Sequence, residues 1–380
     1  MDILLIISLL LLASYCGLLG YYALGWKSLQ VFHPQKATTE TQLPILSVII
    51  PARNEAGSIS LLLESLQNQS YPSSCFEVIV VDDFSSDNTL EIAQAYPFVK
   101  AVALKDFLPE TINSYKKKAI EVGIQQSRGE LIVTTDADCI APKNWLKTIA
   151  AYYETYKPSL IVMPVAIDAS NRAIEVFQSL DFMSLQGITA ASVSKNVHSM
   201  CNGANLAYTR KAFEAVGGFE GIDSIASGDD MLLMHKIAEL FPRGIRYLQS
   251  KEVIIHTAPV QSVKAFLNQR IRWASKADKY DDKRIFAVLL MVYALNVALL
   301  VFPLVLLVRS DFGMFKYWFG MLALKTIVEM AFLFPVARFF GKEGLLWYFP
   351  LAQPFHIVYT VLAGFLGKFG KYSWKGRQVK

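Results

Sequence analysis

Leu131-Ile-Val-Thr-Thr-Asp136-Ala-Asp138 is an apolar, β-branched run that breaks on two acids. A short continuous run of this kind predicts a strand buried on both faces, as in a parallel sheet. Residues two apart in a strand share a face, so a strand ending in D-x-D would aim Asp136 and Asp138 at one point. Two hard oxygen donors there suit Mg²⁺ or Mn²⁺, which binds through one or two carboxylates plus substrate phosphates. The competing reading of the same residues is a solvated turn.

The pattern repeats upstream. Ile45 to Ile50 is wholly apolar and is stopped by Pro51. Ser58 to Gln69 has helical spacing, with Leu62, Leu63 and Leu66 on one side. Val78 to Val81 is a second buried run, ending in Asp82-Asp83. Thr89 to Ala95 predicts a short helix, Val99 to Leu104 a third strand and Tyr115 to Gln126 an amphipathic helix. Strands alternating with helices predict an α/β domain on a mostly parallel sheet. Such sheets bind ligands at the carboxyl ends of their strands, where Arg53-Asn-Glu55, Asp82-Asp83 and the D-x-D all fall. Beyond Trp145 the alternation loosens. Ile174 to Ile188 is helix-like, Asn202-Gly-Ala-Asn205 opens a turn, and Phe213 to Phe219 reads as a short helix stopped by glycine. Val263 to Lys276 is amphipathic and predicts a helix along a membrane surface.

Over the whole chain of 380 residues, 53% are hydrophobic, and they are unevenly spread. Ile3 to Trp26, Ile285 to Val308, Tyr317 to Phe340 and Leu345 to Leu366 are each long and apolar. A membrane span needs roughly 20 such residues. The predicted organisation is an N-terminal anchor over 1–26, a polar linker over 27–44, an α/β domain over 45–284 and a membrane region over 285–380. The first segment starts with Asp2 rather than a basic cluster and exceeds a signal peptide's apolar core, so a retained anchor is expected. The fourth holds Pro350, Gln353, Pro354 and His356, which leaves spanning, re-entrant and interfacial placements open. Lys325 and Glu329, one helical turn apart, are expected to pair, a polar substrate passage being the alternative.

The net charge is +5, and the basic residues are not interleaved with aromatics, which argues against nucleic-acid binding. Lys276, Lys279, Lys283 and Arg284 cluster beside the second apolar segment and predict that this side is cytoplasmic. The 4 cysteines, Cys16, Cys75, Cys139 and Cys201, form no C-x-x-C pair, against a zinc ribbon or a disulfide framework.

A nucleotide sugar presents a base, a ribose and a diphosphate. Asp83 and Glu55 could accept from a uracil or guanine edge, and Arg53 and Lys118 could reach the phosphates. Lys116 and Lys117 read instead as a solvated helix start. The competing reading of Asp82-Asp83, followed by Ser85-Ser86-Asp87, is a turn and helix N-cap. Asp229-Asp230 opens the apolar helix beginning at Met231. One of the two is expected to cap it and the other to be free as a general base. Gln269 and Trp273 lie four apart on one helix face with Arg272 beside them, a platform for an acceptor sugar or a membrane-surface helix. His198 and His235 read as structural.

The ordered set Ser47-Val-Ile-Ile-Pro-Ala-Arg-Asn-Glu55, Val80-Val-Asp-Asp83, Asp136-Ala-Asp138, Gly228-Asp-Asp230 and Gln269-Arg-Ile-Arg-Trp273 resembles the membrane-bound family 2 glycosyltransferases. These are inverting enzymes of GT-A fold, including cellulose, hyaluronan and poly-N-acetylglucosamine synthases and ceramide glucosyltransferase. The resemblance implies that Pro51, Ala52, Arg53, Glu55, Asp82 and Asp83 contact the donor nucleotide. It puts Asp138 on a divalent metal and Asp136 near both metal and ribose. Asp230 would be the catalytic base beside Asp229, and Gln269, Arg272 and Trp273 would shape the acceptor and diphosphate site. Asn202-Gly203 would form the loop beside the donor sugar. The family's base motif usually reads Glu-Asp, and this chain departs from it with Asp229-Asp230. The expected activity is transfer of a sugar, from a UDP-sugar in the first instance, to a lipid-linked or glycan acceptor. A multi-pass inner-membrane location with a cytoplasmic catalytic domain is expected with it. The alternatives are a processive polysaccharide synthase and a catalytically silent scaffold.

Overall fold

The computed structural model describes residues 3–34, 43–108, 114–223, 225, 228–275, 282–370, 372–374 and 377–379. The linker run Ala37 to Gln42 and the basic residues Lys276 and Lys279 lie outside them. Among the described residues the chain divides into two compact units. One comprises 1–27, 168–188 and 259–380, and the other 28–167 and 189–258. The stretch 45–284, a single domain by sequence, thus contributes to both.

The second of these units is the α/β one. Its strands are β1 (Leu46–Ala52), β2 (Phe76–Asp82), β3 (Val99–Ala103), β4 (Leu131–Thr134), β5 (Cys139–Ile140), β6 (Leu160–Val162), β7 (Val165–Ile167), β8 (Leu206–Thr209), β9 (Ile245–Tyr247) and β10 (Ile255–Thr257). Seven form one sheet in the order β3-β2-β1-β4-β8-β6-β9. All of its pairings are parallel except those of β8, which runs antiparallel to β4 and β6. A second sheet has the order β5-β10-β7. Leu46, Val48, Ile49 and Ile50 are buried at the centre of β1, and full burial of each such side chain is worth roughly 1.5–3 kcal/mol. Helices α2 (Ile59–Gln67), α3 (Thr89–Gln94) and α4 (Tyr115–Gln125) follow strands, as the alternation predicts, and α5 (Trp145–Tyr156) extends the alternation past the point where the sequence signal loosens. Gly123 on α4 sits where a Cβ would come within 2.5 Å of Ile49, so helix and sheet approach closely there.

Register explains why the polar clusters share one edge. Ala52 pairs with Asp82, and Ile49 pairs with Thr134, so the carboxyl ends of β1, β2 and β4 lie side by side. The D-x-D departs from the expected strand ending. Strand β4 ends at Thr134, and Asp136 and Asp138 stand beyond it in a turn closed by the Cys139 amide on the Asp136 carbonyl at 3.2 Å. The two-residue periodicity of a strand therefore does not orient them.

The remaining helices are α6 (Ala173–Ser194), α7 (Arg210–Ala215), α8 (Met231–Leu240), α9 (Val263–Ala274), α10 (Lys283–Arg309), α11 (Phe315–Phe340) and α12 (Phe349–Phe369), with α1 (Ile3–Ser28) at the start. The stretches Ile3–Ser28, Lys283–Arg309, Phe312–Phe340 and Glu343–Phe369 are long and apolar enough to cross a membrane. Lys325 and Glu329 do pair, at 2.6 Å, and the lysine also donates to Gln353 at 2.8 Å. Tyr15 donates to the same glutamate. Tyr15, Lys325, Glu329 and Gln353 thus satisfy one another, as burial away from water requires.

Candidate active site

The site is built on the carboxyl ends of β1, β2 and β4. The loops after β1 and β2 are laced together. Arg53 Nη1 donates to the carbonyls of Asp83 and Phe84 at 2.7 and 2.9 Å. Asn54 Oδ1 accepts from the Ser86 amide at 2.8 Å, and the Glu55 amide donates to Thr89 at 2.8 Å. Asn54 and Phe84 both have positive φ, 51° and 52°. Asn tolerates that conformation, but for Phe it costs of order 1–3 kcal/mol, so the loop lacing holds strain at the ends of β1 and β2. Arg53, expected to reach a phosphate, spends at least one arm holding this loop. Asp83 is buried. Asp82 makes the turn that the sequence allowed, its Oδ2 accepting from the Ser85 amide at 3.2 Å, while its buried Oδ1 has no hydrogen-bond partner among the described residues. Glu55 accepts from Ser58 at 2.6 Å. Pro51 and Ala52 are the last residues of β1.

Where a solvated helix start was expected, Lys117 is buried and Lys116 is half-buried against acids. Lys117 is 1% exposed and donates to the carbonyls of Ile222 and Ile225 at 2.7 and 2.5 Å. Lys116 Nζ lies 2.7 Å from Asp136 Oδ1 and 3.2 Å from Asp229 Oδ2. Burial works against its charge, yet Asp136, Asp229 and Asp230 outweigh burial and raise its pKa above the ordinary lysine value. Lys118, expected at the phosphates, pairs with Glu121 at 2.8 Å.

Asp230 is the residue that caps α8. Its Oδ1 accepts from the Met231 amide at 2.7 Å, and its Oδ2 accepts from the Gly203 amide at 3.2 Å. Each carboxylate oxygen has a second lone pair, so capping leaves acceptor capacity. Gly228, in front of the pair, has φ of +83°, a backbone state suited to glycine. A Cβ on Gly203 would meet Asp229 Oδ2 at 3.0 Å, which brings the Asn202-Gly203 loop against the acidic pair. That loop is anchored by Asn205, fully buried, which accepts from Trp145 Nε1 at 2.9 Å and donates to the carbonyls of Pro164 and Val253, both at 2.7 Å. Asn202 itself accepts from the Ala204 amide at 3.0 Å. The structure thus brings Asp136, Asp229, Asp230 and Gly203 together around Lys116. Asp138 stands exposed on the same turn as Asp136.

Gln269, Arg272 and Trp273 lie on α9, in the other unit. Between them Arg270 is buried and donates to Asp181 at 2.6 and 2.9 Å and to Gln269 at 2.9 Å. Its guanidinium lies 4.2 Å from the centre of the Trp273 ring. Tyr359 donates to the same aspartate. Sequence reading passed over Arg270. The only signal for it was a second arginine inside the Gln-x-x-Arg-Trp run.

For a divalent ion the donors fit in kind. Asp136 and Asp138 are hard oxygen ligands, and an ammonium already stands against Asp136 as a cation would. Among the described residues, no three His, Cys, Asp or Glu side chains are placed so that they could hold a metal ion between them. Mg²⁺ and Mn²⁺ sites completed by substrate phosphates do not require one.

Residues 47–217 match the family described as Glycosyl transferase family 2. The chain is 32% identical over 192 residues to glycosyltransferase AglE of Haloferax volcanii, a match covering 50% of this chain and 60% of that one. It is 26% identical over 219 residues to beta-monoglucosyldiacylglycerol synthase of Synechocystis sp., covering 51% of this chain and 43% of that one. The matches span less than two thirds of either relative. Among solved structures, mannosyltransferase PcManGT from Pyrobaculum calidifontis, in complex with GDP-Man and Mn²⁺, has a TM-score of 0.59 at 21% identity, covering 93% of this chain and 99% of that one. The expected fold class, a GT-A domain on a mostly parallel sheet with apolar helices toward both ends of the chain, is borne out.

Proposed function

We propose that this chain, which carries a family 2 glycosyltransferase domain, is a membrane enzyme moving a sugar from a nucleotide-diphosphate donor to a lipid-linked or glycan acceptor. The α/β unit would work at the cytoplasmic face of the inner membrane. The single observation that carries the reading is the gathering of Asp136, Asp229, Asp230 and Gly203 around Lys116 at the carboxyl edge of a parallel sheet. Edges of this kind are where open α/β sheets bind ligands.

Asp83 and Glu55, with Pro51, Ala52, Arg53 and Asp82, would form the nucleotide pocket. The laced loops after β1 and β2 hold it rigid before the donor arrives, which lowers the ordering cost of binding. Lys118 would have to leave Glu121 to meet a phosphate, and its pairing with Glu121 is partly exposed and weak enough for that. Asp138, with Asp136, would hold the divalent metal, which when bound neutralises charge on the departing diphosphate. Asp230 would take the proton from the attacking hydroxyl, its position fixed by the two backbone amides it accepts from. Asp229, held by Lys116, would shape the field around it. Attack opposite the departing diphosphate gives inversion at the anomeric carbon. Gln269, Arg272 and Trp273 are assigned to the acceptor and diphosphate by the family resemblance. Arg270 fixes the side chains of Gln269 and Trp273 for that role.

A lipid-linked acceptor with one or a few sugars added is favoured over a long polymer. The four candidate spans among the described residues are few to enclose a polar chain, whose hydroxyls cannot cross lipid unsatisfied. The similarity to a diacylglycerol-modifying synthase points the same way. The test is incubation of membranes holding the protein with labelled UDP- and GDP-sugars and a divalent metal. Label entering lipid or glycan from one donor is the expected result, and none from any donor would refute the proposal.

A further inference from the structure

Lys116 contacts neither backbone nor solvent alone. Its ammonium is wedged between Asp136 of the D-x-D turn and Asp229 of the pair opening α8, at 2.7 and 3.2 Å. The third wall is the Asn202-Gly203 loop, where a Cβ added to Gly203 would stand 3.5 Å from the ammonium. The neighbouring Lys117 pins the carbonyls of Ile222 and Ile225, so the first turn of α4 also holds the chain leading into Gly228-Asp-Asp230. Two loops that would otherwise repel through the carboxylates of Asp136 and Asp229 are therefore held by one cation. Nearby, Tyr208 is buried, and its hydroxyl has no hydrogen-bond partner among the described residues.

A divalent ion binding at Asp136 Oδ1 would have to displace this ammonium. We propose that Lys116 is a built-in counter-ion for the D-x-D carboxylate: it occupies the cation position between Asp136 and Asp229 in the metal-free protein and competes with the divalent metal for Asp136. The inference rests on the reading of Asp136 and Asp138 as the metal carboxylates. It has two consequences. Metal affinity without nucleotide is held down by the competing ammonium. The metal-free acidic cluster stays folded because its repulsion is offset. Donor phosphates bring further oxygen ligands and tip the competition toward the metal. Lys116 is then a positioning residue, acting through Asp136 and Asp229.

The test is calorimetric titration of Mn²⁺ into the full chain in lipid nanodiscs, without nucleotide and then with UDP. Lys116→Met should bind Mn²⁺ about tenfold or more tightly without nucleotide, the order of a charge-assisted hydrogen bond removed from the competition. Lys116→Arg, which keeps the charge, should stay near wild type. Unchanged or weaker Mn²⁺ binding by Lys116→Met would overturn the inference. Thermal unfolding covers a variant that folds poorly. Loss of folding in metal-free buffer that Mn²⁺ restores is the expected pattern, and loss that Mn²⁺ leaves in place overturns it. Asp138→Asn separates the two readings. If wild type binds Mn²⁺ and Asp138→Asn does not, the metal reading stands whatever Lys116→Met does. If wild type takes no Mn²⁺ even with UDP, both readings fall.

Discussion

Replacing Asp230 by Asn tests the base assignment with little disturbance to the fold. The amide is nearly isosteric, and its oxygen can keep the 2.7 Å bond from the Met231 amide, so the cap on α8 survives. Asn and Asp are about equally good N-caps. The amide nitrogen then faces the Gly203 amide, and the 3.2 Å bond made there is lost. That costs about 1 kcal/mol, the usual net worth of one hydrogen bond. Transfer should suffer far more. Removing a positioned base typically costs 10²–10⁴-fold in rate, about 2.7–5.5 kcal/mol in barrier height. Turnover of labelled donor and a thermal melt, measured on the same preparation, separate the two effects. The expected outcome is a small shift in melting with near-complete loss of transfer and unchanged nucleotide affinity. Turnover within a few-fold of wild type would refute Asp230 as the base. If Asp229→Asn were the dead variant instead, the two roles would exchange.

Other consequences follow from the same geometry. Asp138→Asn should lose most Mn²⁺-dependent donor binding, because a neutral amide cannot offset the ion's charge. Calorimetry with donor and Mn²⁺ checks this, and unchanged metal-dependent affinity would discard the assignment. Asp181→Asn leaves Arg270 buried without its counter-charge and should destabilise the helical unit by about 3–5 kcal/mol, read as a lower unfolding temperature in detergent. An unaltered melt would contradict that value. The product made by purified protein in lipid should carry one or a few sugars when sized, and a ladder reaching tens of sugars would favour a polymer synthase.

The strands that carry the site were legible because each is a short apolar run broken by a polar cluster, as in β1, β2 and β4. Insertion of β8 between β4 and β6 was not, since local periodicity carries no information about strand order. The chemistry of the site was legible as residue types: acids at strand ends, and an acidic pair before a helix. Its wiring was not. Lys116 and Lys117 looked like a solvated cluster because their partners Asp136, Asp229, Ile222 and Ile225 are distant in sequence. Arg270 escaped notice for the same reason, its partner Asp181 being 89 residues away. Strand periodicity locates the D-x-D but not its geometry, because β4 ends at Thr134 and a turn closed by Cys139 on Asp136 follows.

The most direct test of the central claim is the anomeric configuration of the product. The purified protein in lipid is given an α-linked UDP-sugar, Mn²⁺ and a lipid acceptor, and the new linkage is read by nuclear magnetic resonance. In-line attack assisted by Asp230 predicts a β-linked product whose formation stops when the metal is chelated. An α-linked product, or release of free sugar with no acceptor modified, would contradict the account.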